Sequence, residues 1–271
     1  MADKAQAGLV KAVDAARSAD IRRAANGLNF ATVGDTQIAD ADLDRLVQAV
    51  PAGIAGALTG KTYYFVPLAM PEPRAEGLRA EGLRLASDTT LIAPVFTAEL
   101  ADEAICHRAV EVPAEPGRSA HEGIFISARL LNDRFALAFE LFINVGHAFV
   151  EAAGVPQEFQ DLAWAQATAD IRGETSQDAW ESRTAAVGTQ RGNEPKRIDE
   201  KARLQFFEAT FADALAIYQL SLAVDFDYSE LREREYPLLA PQALADRLRL
   251  VAKLFPPNAG YEFSVRYRRR A

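Results

Sequence analysis

Hydrophobic positions along this chain recur at two periods, and the change from one to the other divides the sequence. Residues 3–26 and "DADLDRLVQAV" from Asp40 repeat apolar side chains every three or four residues. That spacing predicts two N-terminal helices, the second presenting Leu43, Leu46, Val47 and Val50 on one face before Pro51. "KTYYFVPLA" (61–69), "TTLIAPVFT" (89–97), "AICHRAVEV" (104–112) and "GIFISA" (123–128) are short and rich in β-branched and aromatic residues, and predict strands. From Leu130 the helical spacing returns, over 132–153, 157–171, 176–187, 199–223 and 241–255. "YEFSVRY" (261–267) alternates as a last strand. The sum is a predominantly helical α+β fold, with a small sheet in the N-terminal half packed on a helical C-terminal half. Residues 1–60 are expected as an N-terminal helical segment that forms one compact unit with an α+β domain over 61–271.

Three segments stand outside this pattern. "RAEGL" occurs twice in tandem, at 74–78 and 79–83, too short and too few for a solenoid, so it is read as a local duplication without function. "PAEPGRSAHEG" connects two of the predicted strands. "GTQRGNEPKR" (188–197) has the polar, glycine- and proline-bearing composition of a linker.

Composition narrows the class. With 271 residues and 49% hydrophobic content, the chain can bury a substantial core. Its formal charge of −8 argues against nucleic acid, whose partners need a basic face. The short basic end "RYRRR" does not change that balance, because such a tail is ordinarily solvated. One cysteine, Cys106, excludes an intrachain disulfide scaffold, and the N-terminus lacks a secretory pattern, so a cytoplasmic protein is expected. The longest apolar run, Phe135 to Val150, is interrupted by Glu140, Asn144 and His147 and falls short of the roughly 20 residues a span requires, so no membrane segment is expected.

Those interruptions are the first chemical signal. Glu140, Asn144, His147 and Glu151 follow one another at four, three and four residues, which places them on one line of a helix whose other faces are apolar. Such a line is either the hydrated edge of a core helix or a site.

"INVGHAFVEAAG" (143–154) resembles the active-site helix of the zincin metallopeptidases, in which His-Glu-x-x-His is followed by small and apolar residues. The resemblance places His147 at the second zinc-ligand position and implies a strand immediately before the helix, where "GIFIS" stands. In that chemistry two histidines one turn apart hold the metal and the glutamate between them takes a proton from bound water. Here those positions carry Ile143 and Asn144. Isoleucine has no lone pair for a metal, and a neutral amide is no general base. The resemblance therefore implies a zincin-like protein without catalysis, cofactor or metal.

A third ligand would lie downstream, where Glu174, Glu181 and Glu208 compete. "FEATFADALAIY" (207–218) resembles the Glu-x-x-Ala-Asp pattern of some zincin helices, with Glu208 one residue out of register. Thr175-x-x-Asp178 reads as a capping box, which assigns Asp178 to a helix start. A separate metal reading, for zinc or another divalent transition metal, pairs His147 with Glu151 and Asp170 with Glu174 at i and i+4, in the manner of carboxylate sites in helical bundles, with Glu181 nearby. Against it, Asp170 and Glu174 read as a solvated helix end. His107 and Cys106 neighbour one another on a predicted strand and so point to opposite faces. His121 falls in a polar loop. No phosphate loop, CxxC pair or G-x-S-x-G elbow is present.

The reading these residues favour is a non-catalytic zincin-like protein that binds a protein or peptide, with Glu140, Asn144, His147, Glu151 and Glu208 as its cleft residues. The alternatives are a metal-dependent hydrolase or carboxylate-bridged metal enzyme, and a purely structural helical protein.

Overall fold

The computed structural model describes residues 8–71, 90–131, 133–188, 198–231 and 236–266. Its elements are strands β1 (Val10–Lys11), β2 (Arg22–Arg23), β3 (Asn29–Thr32), β4 (Lys61–Val66), β5 (Leu68–Met70), β6 (Leu91–Ala93), β7 (His107–Val112) and β8 (His121–Ser127). The helices are α1 (Ala12–Ser18), α2 (Asp40–Gln48), α3 (Ala52–Ala55), α4 (Ala98–Ala101), α5 (Arg134–Ala153), α6 (Gln157–Thr168), α7 (Gln177–Val187), α8 (Glu200–Ala223) and α9 (Pro241–Leu254). The α+β class expected from the periodicity is the class observed. The RAEGL repeat and the terminal arginines lie outside the described residues, as does the linker but for Gly188.

Two compact units make up the chain: residues 1–48 with 58–140, and residues 49–57 with 141–271. The division falls within α5, and residues 1–48 fall in the same unit as the strands that follow.

In the first unit, a five-stranded sheet runs in the order β2-β3-β4-β8-β7, with β3, β4 and β8 parallel and both edge strands antiparallel to their neighbours. Alternation along β4 sends Tyr64 and Val66 to one face. There they join Ala31, Val110, Val112 and Phe125 beneath the small side chains Ala12, Ala15 and Ala16 of α1. Arg118 donates to the carbonyls of Ala16, Arg17 and Ala19 at the end of α1, where the Ala16 carbonyl also accepts from Ala19 N. A second sheet, β1-β6-β5, is antiparallel throughout. Ser127 links the two sheets, its Oγ accepting from Ala69 N at 2.7 Å and donating to Ile105 O.

The helix expected over 3–26 is confined to 12–18 within the described residues. Gly27, at φ +97, closes a turn in which Ala24 N donates to Leu28 O, so Arg22–Arg23 pairs with Asn29–Phe30. The Asn26-Gly27 step is a hairpin signal that outweighs the helical spacing before it. The strand expected over 261–267 is not formed in the described part, 261–266. Its alternation is real, but no strand among the described residues pairs with it, and Phe263 instead sets its ring edge-on to Tyr218 at 5.2 Å.

The second unit is helical, and α8 is its axis. From Thr210 to Leu220 every residue of α8 is buried, which explains why its sequence is apolar on nearly all sides. Phe211 packs between Phe149, Phe159 and Phe255, with ring centroids 4.7–6.4 Å apart. The second half of α5 crosses α8 at Gly146, where a Cβ would stand 2.6 Å from the Ala212 carbonyl oxygen. The glycine of "VGH" is therefore a packing requirement. We expect Gly146→Ala to lower stability by about 1–3 kcal/mol through forced separation of the two helices. Urea denaturation measures this; an unchanged midpoint would show that the crossing is looser than described.

Candidate functional site

The α5 stripe begins where Asp133 caps the helix, its Oδ1 accepting from Ala136 N at 2.6 Å. It ends at Gly154, whose left-handed φ of +72 turns the chain toward Pro156 and α6. Strand β8 precedes α5 in the chain, the order the zincin resemblance implies. By length and composition α5 could cross a membrane, more than the interrupted apolar run implied. Leu137, Ala138, Leu141, Phe142, Val145, Ala148 and Phe149 are nonetheless buried by protein.

Exposure rises along the stripe. Glu140 and Asn144 are half-buried, whereas His147 and Glu151 are exposed. Ile143 is half-buried, as are Phe135, Phe139 and Val150. His147 thus stands at the surface. Glu140 meets a residue the sequence left without a role: the Nδ1 of His107 on β7 lies within hydrogen-bond distance of its Oε1. Cys106, beside His107, has its thiol pKa raised by partial burial and by the Glu140 charge, which disfavours the reactive thiolate.

The downstream acids do not assemble as a metal set. Helix α6 stops at Thr168, and Asp170 follows in the left-handed region at φ 55, exposed, so Asp170 and Glu174 never share a helix face. Glu181 is exposed on α7 and accepts from Gln177 Nε2 at 2.5 Å. Glu208 is exposed on α8. Among the described residues, no three His, Cys, Asp or Glu side chains converge on a metal-sized space. With isoleucine at 143, the donor set does not fit zinc by the zincin scheme.

Glu174 is the departure from expectation. Read from sequence as a solvated helix end or a metal ligand, it is fully buried and held by arginines. Arg247, also fully buried, grips it with both terminal nitrogens, Nη1 to Oε2 at 2.8 Å and Nη2 to Oε1 at 3.2 Å. Arg247 Nε donates to Gln166 Oε1 at 2.7 Å, and its Nη1 also reaches the Thr210 hydroxyl. Arg183 adds a contact at 3.3 Å to Glu174 Oε1 while donating to the carbonyls of Gly173 and Ala167. One carboxylate thereby joins α6, α7, α8 and α9.

The backbone around it is equally constrained. Glu174 N donates to Pro237 O, and Leu239 N donates to Glu174 O, a parallel bridge between the two segments. Gly173, at φ +80, lies so close that a Cβ would be 2.0 Å from the Leu238 oxygen. The expected capping box shifts by one residue: Ser176 Oγ accepts from Ala179 N and caps α7. Thr175 instead donates its hydroxyl to Asp213 Oδ2 at 2.7 Å. Arg183, Arg247, Gln166, Thr210 and Asp213 went unmarked in the sequence. Their signal is a charged residue on an apolar helix face: Arg247 stands in line with Leu244 and Val251, and Asp213 with Phe206, Thr210 and Ile217.

Comparison with protein-family models, curated proteins and solved structures gives no match to this chain.

Glu174→Gln keeps the shape of the side chain and removes its charge, leaving two arginines buried without a counter-ion. We expect a loss of about 3–5 kcal/mol in unfolding free energy by denaturant titration. A loss under about 1 kcal/mol would mean that water reaches the cluster.

Proposed function

We propose that this chain is a non-catalytic, zincin-like cytoplasmic protein that works by binding a protein or peptide partner. The observation that carries the reading is the commitment of Glu174. Of the three downstream acids that compete for the third-ligand position, Glu174 is the buried one, and its carboxylate is committed to Arg247 and Arg183. Ile143 and Asn144 remove the first ligand and the base from the helix itself. What remains on the part of α5 in the second unit is a single imidazole, His147, on a surface that also carries the half-buried Ile143 and Val150. Apolar groups left accessible beside polar ones are the raw material of a binding surface. A second reading, a structural helical protein with a merely hydrated edge, draws on the steady rise in exposure from Glu140 to Glu151 and on the packing role of Gly146.

Reversing the substitutions separates the two. Ile143→His with Asn144→Glu sets two imidazoles one turn apart, and zincin ancestry predicts zinc affinity about tenfold or more above wild type by calorimetry. Equal affinity in a folded double variant would favour the structural reading. The wild-type chain supplied with zinc should not cleave an unfolded protein substrate. Zinc-dependent cleavage that disappears in His147→Ala would overturn the absence of catalysis.

A further inference from the structure

The cluster around Glu174 contains a second buried carboxylate that the pairing just described leaves aside. Both arginines are spent. Arg247 serves Glu174, Thr210 and Gln166, and Arg183 serves Glu174 and the carbonyls of Gly173 and Ala167. Asp213, buried on α8, is held by the hydroxyls of Thr175 and Ser176 and by no direct arginine contact among the described hydrogen bonds. The groups facing the cluster are Gln166 from α6, Glu174, Thr175 and Ser176 from the segment before α7, Arg183 from α7, Thr210 from α8 and Arg247 from α9. Two buried carboxylates thus share a space whose cationic donors contact one of them.

We propose that Asp213 is a proton-operated switch that sets how firmly residues 173–176 and the start of α7 are held against α8 and against 237–240. The site of action is physical. Thr175 supplies the hydroxyl to Asp213, and its carbonyl accepts from the Tyr236 hydroxyl at 3.3 Å. Ser176 both faces Asp213 and caps α7. Glu174 carries the backbone bridge to Pro237 and Leu239. A change of charge at Asp213 therefore acts on all three consecutive residues.

Burial raises the proton affinity of Asp213 most, and the Glu174 charge raises it further. The Ser176 and Thr175 hydroxyls and the Arg247 charge oppose them, leaving the pKa pushed up to about 6. Because the folded value exceeds the unfolded one, the native state holds the extra proton. The stabilisation is fully present below the ordinary aspartate range and is lost as pH rises through about 6. The helical unit tightens in weak acid and loosens toward neutrality. Over that window Asp213 alone weakens the folding equilibrium constant by about a hundredfold.

The test is a carbon-13 titration of the Asp213 carboxyl in the full chain between about pH 4 and pH 8, assigned by its loss in Asp213→Asn, with thermal unfolding across the same range. Asp213 should titrate well above an ordinary aspartate, and Asp213→Asn, a mimic of the protonated form, should flatten the pH dependence of stability relative to wild type. Thr175→Val removes a hydroxyl that favours the charged form, so it should move the midpoint higher still. Hydrogen exchange, corrected for its intrinsic pH dependence, should show residues 174–180 and 238–240 better protected at the acid end in wild type and insensitive to pH in Asp213→Asn. An ordinary aspartate midpoint, an unmoved midpoint in Thr175→Val, or local protection that ignores pH in wild type would each overturn the switch. Should Asp213→Asn fail to fold, the wild-type titration and Thr175→Val decide the matter.

Discussion

The helical unit depends on one ion pair whose two side chains are closed off from the protein surface. Arg247 and Glu174 are both fully buried, and desolvating two charges is costly unless geometry and further hydrogen bonds repay it. Here both conditions hold. The guanidinium meets the carboxylate with two nitrogens, and its remaining donors find Gln166 and Thr210. Gln166 in turn donates to the Ala243 carbonyl at 3.1 Å, which returns the network to α9. The cluster thereby ties Gln166 of α6, Arg183 of α7, Thr210 of α8 and Arg247 of α9 to one carboxylate.

That arrangement bears on the zincin resemblance in an unexpected way. The resemblance rests on α5, but the residues that would decide catalysis are divided between a helix with a half-buried isoleucine at the first ligand position and a glutamate removed into an arginine cage. Small residues in "GHAFVEAAG" also have a packing account, since Gly146 admits the Ala212 carbonyl. The short motif therefore has an account in packing, and its exposed positions are His147 and the residues from Glu151 to Gly154.

Much of the fold was legible because burial imposes periodicity. Strand β8, helices α5 to α9 and the change from strands to helices all follow from apolar spacing. The hairpin of β2 and β3 was hidden because four short residues, Asn29–Thr32, carry too little pattern to compete with the helical spacing before them. The cluster was harder. Glu174 lies outside any helix, so no period marks it as buried, and its side-chain partners sit between 9 and 73 residues away along the chain. Arg247 and Asp213 could have been noticed as charges on apolar faces, but only the three-dimensional structure says which opposite charge each one meets. The Thr175 cap was misplaced by one residue for a related reason: a hydroxyl beside a helix start serves the nearest strong demand, and Asp213 outbids the helix end.

A double-mutant cycle on Glu174 and Arg247 tests the central claim most directly, with Glu174→Gln, Arg247→Met and the two combined compared by denaturant unfolding. If the pair organises the helical unit, each single change strands a buried partner and the combined change costs less than the sum, with a coupling of about 2–3 kcal/mol. Single losses that simply add, within about 0.5 kcal/mol, would contradict it and return the stability of the unit to apolar packing alone.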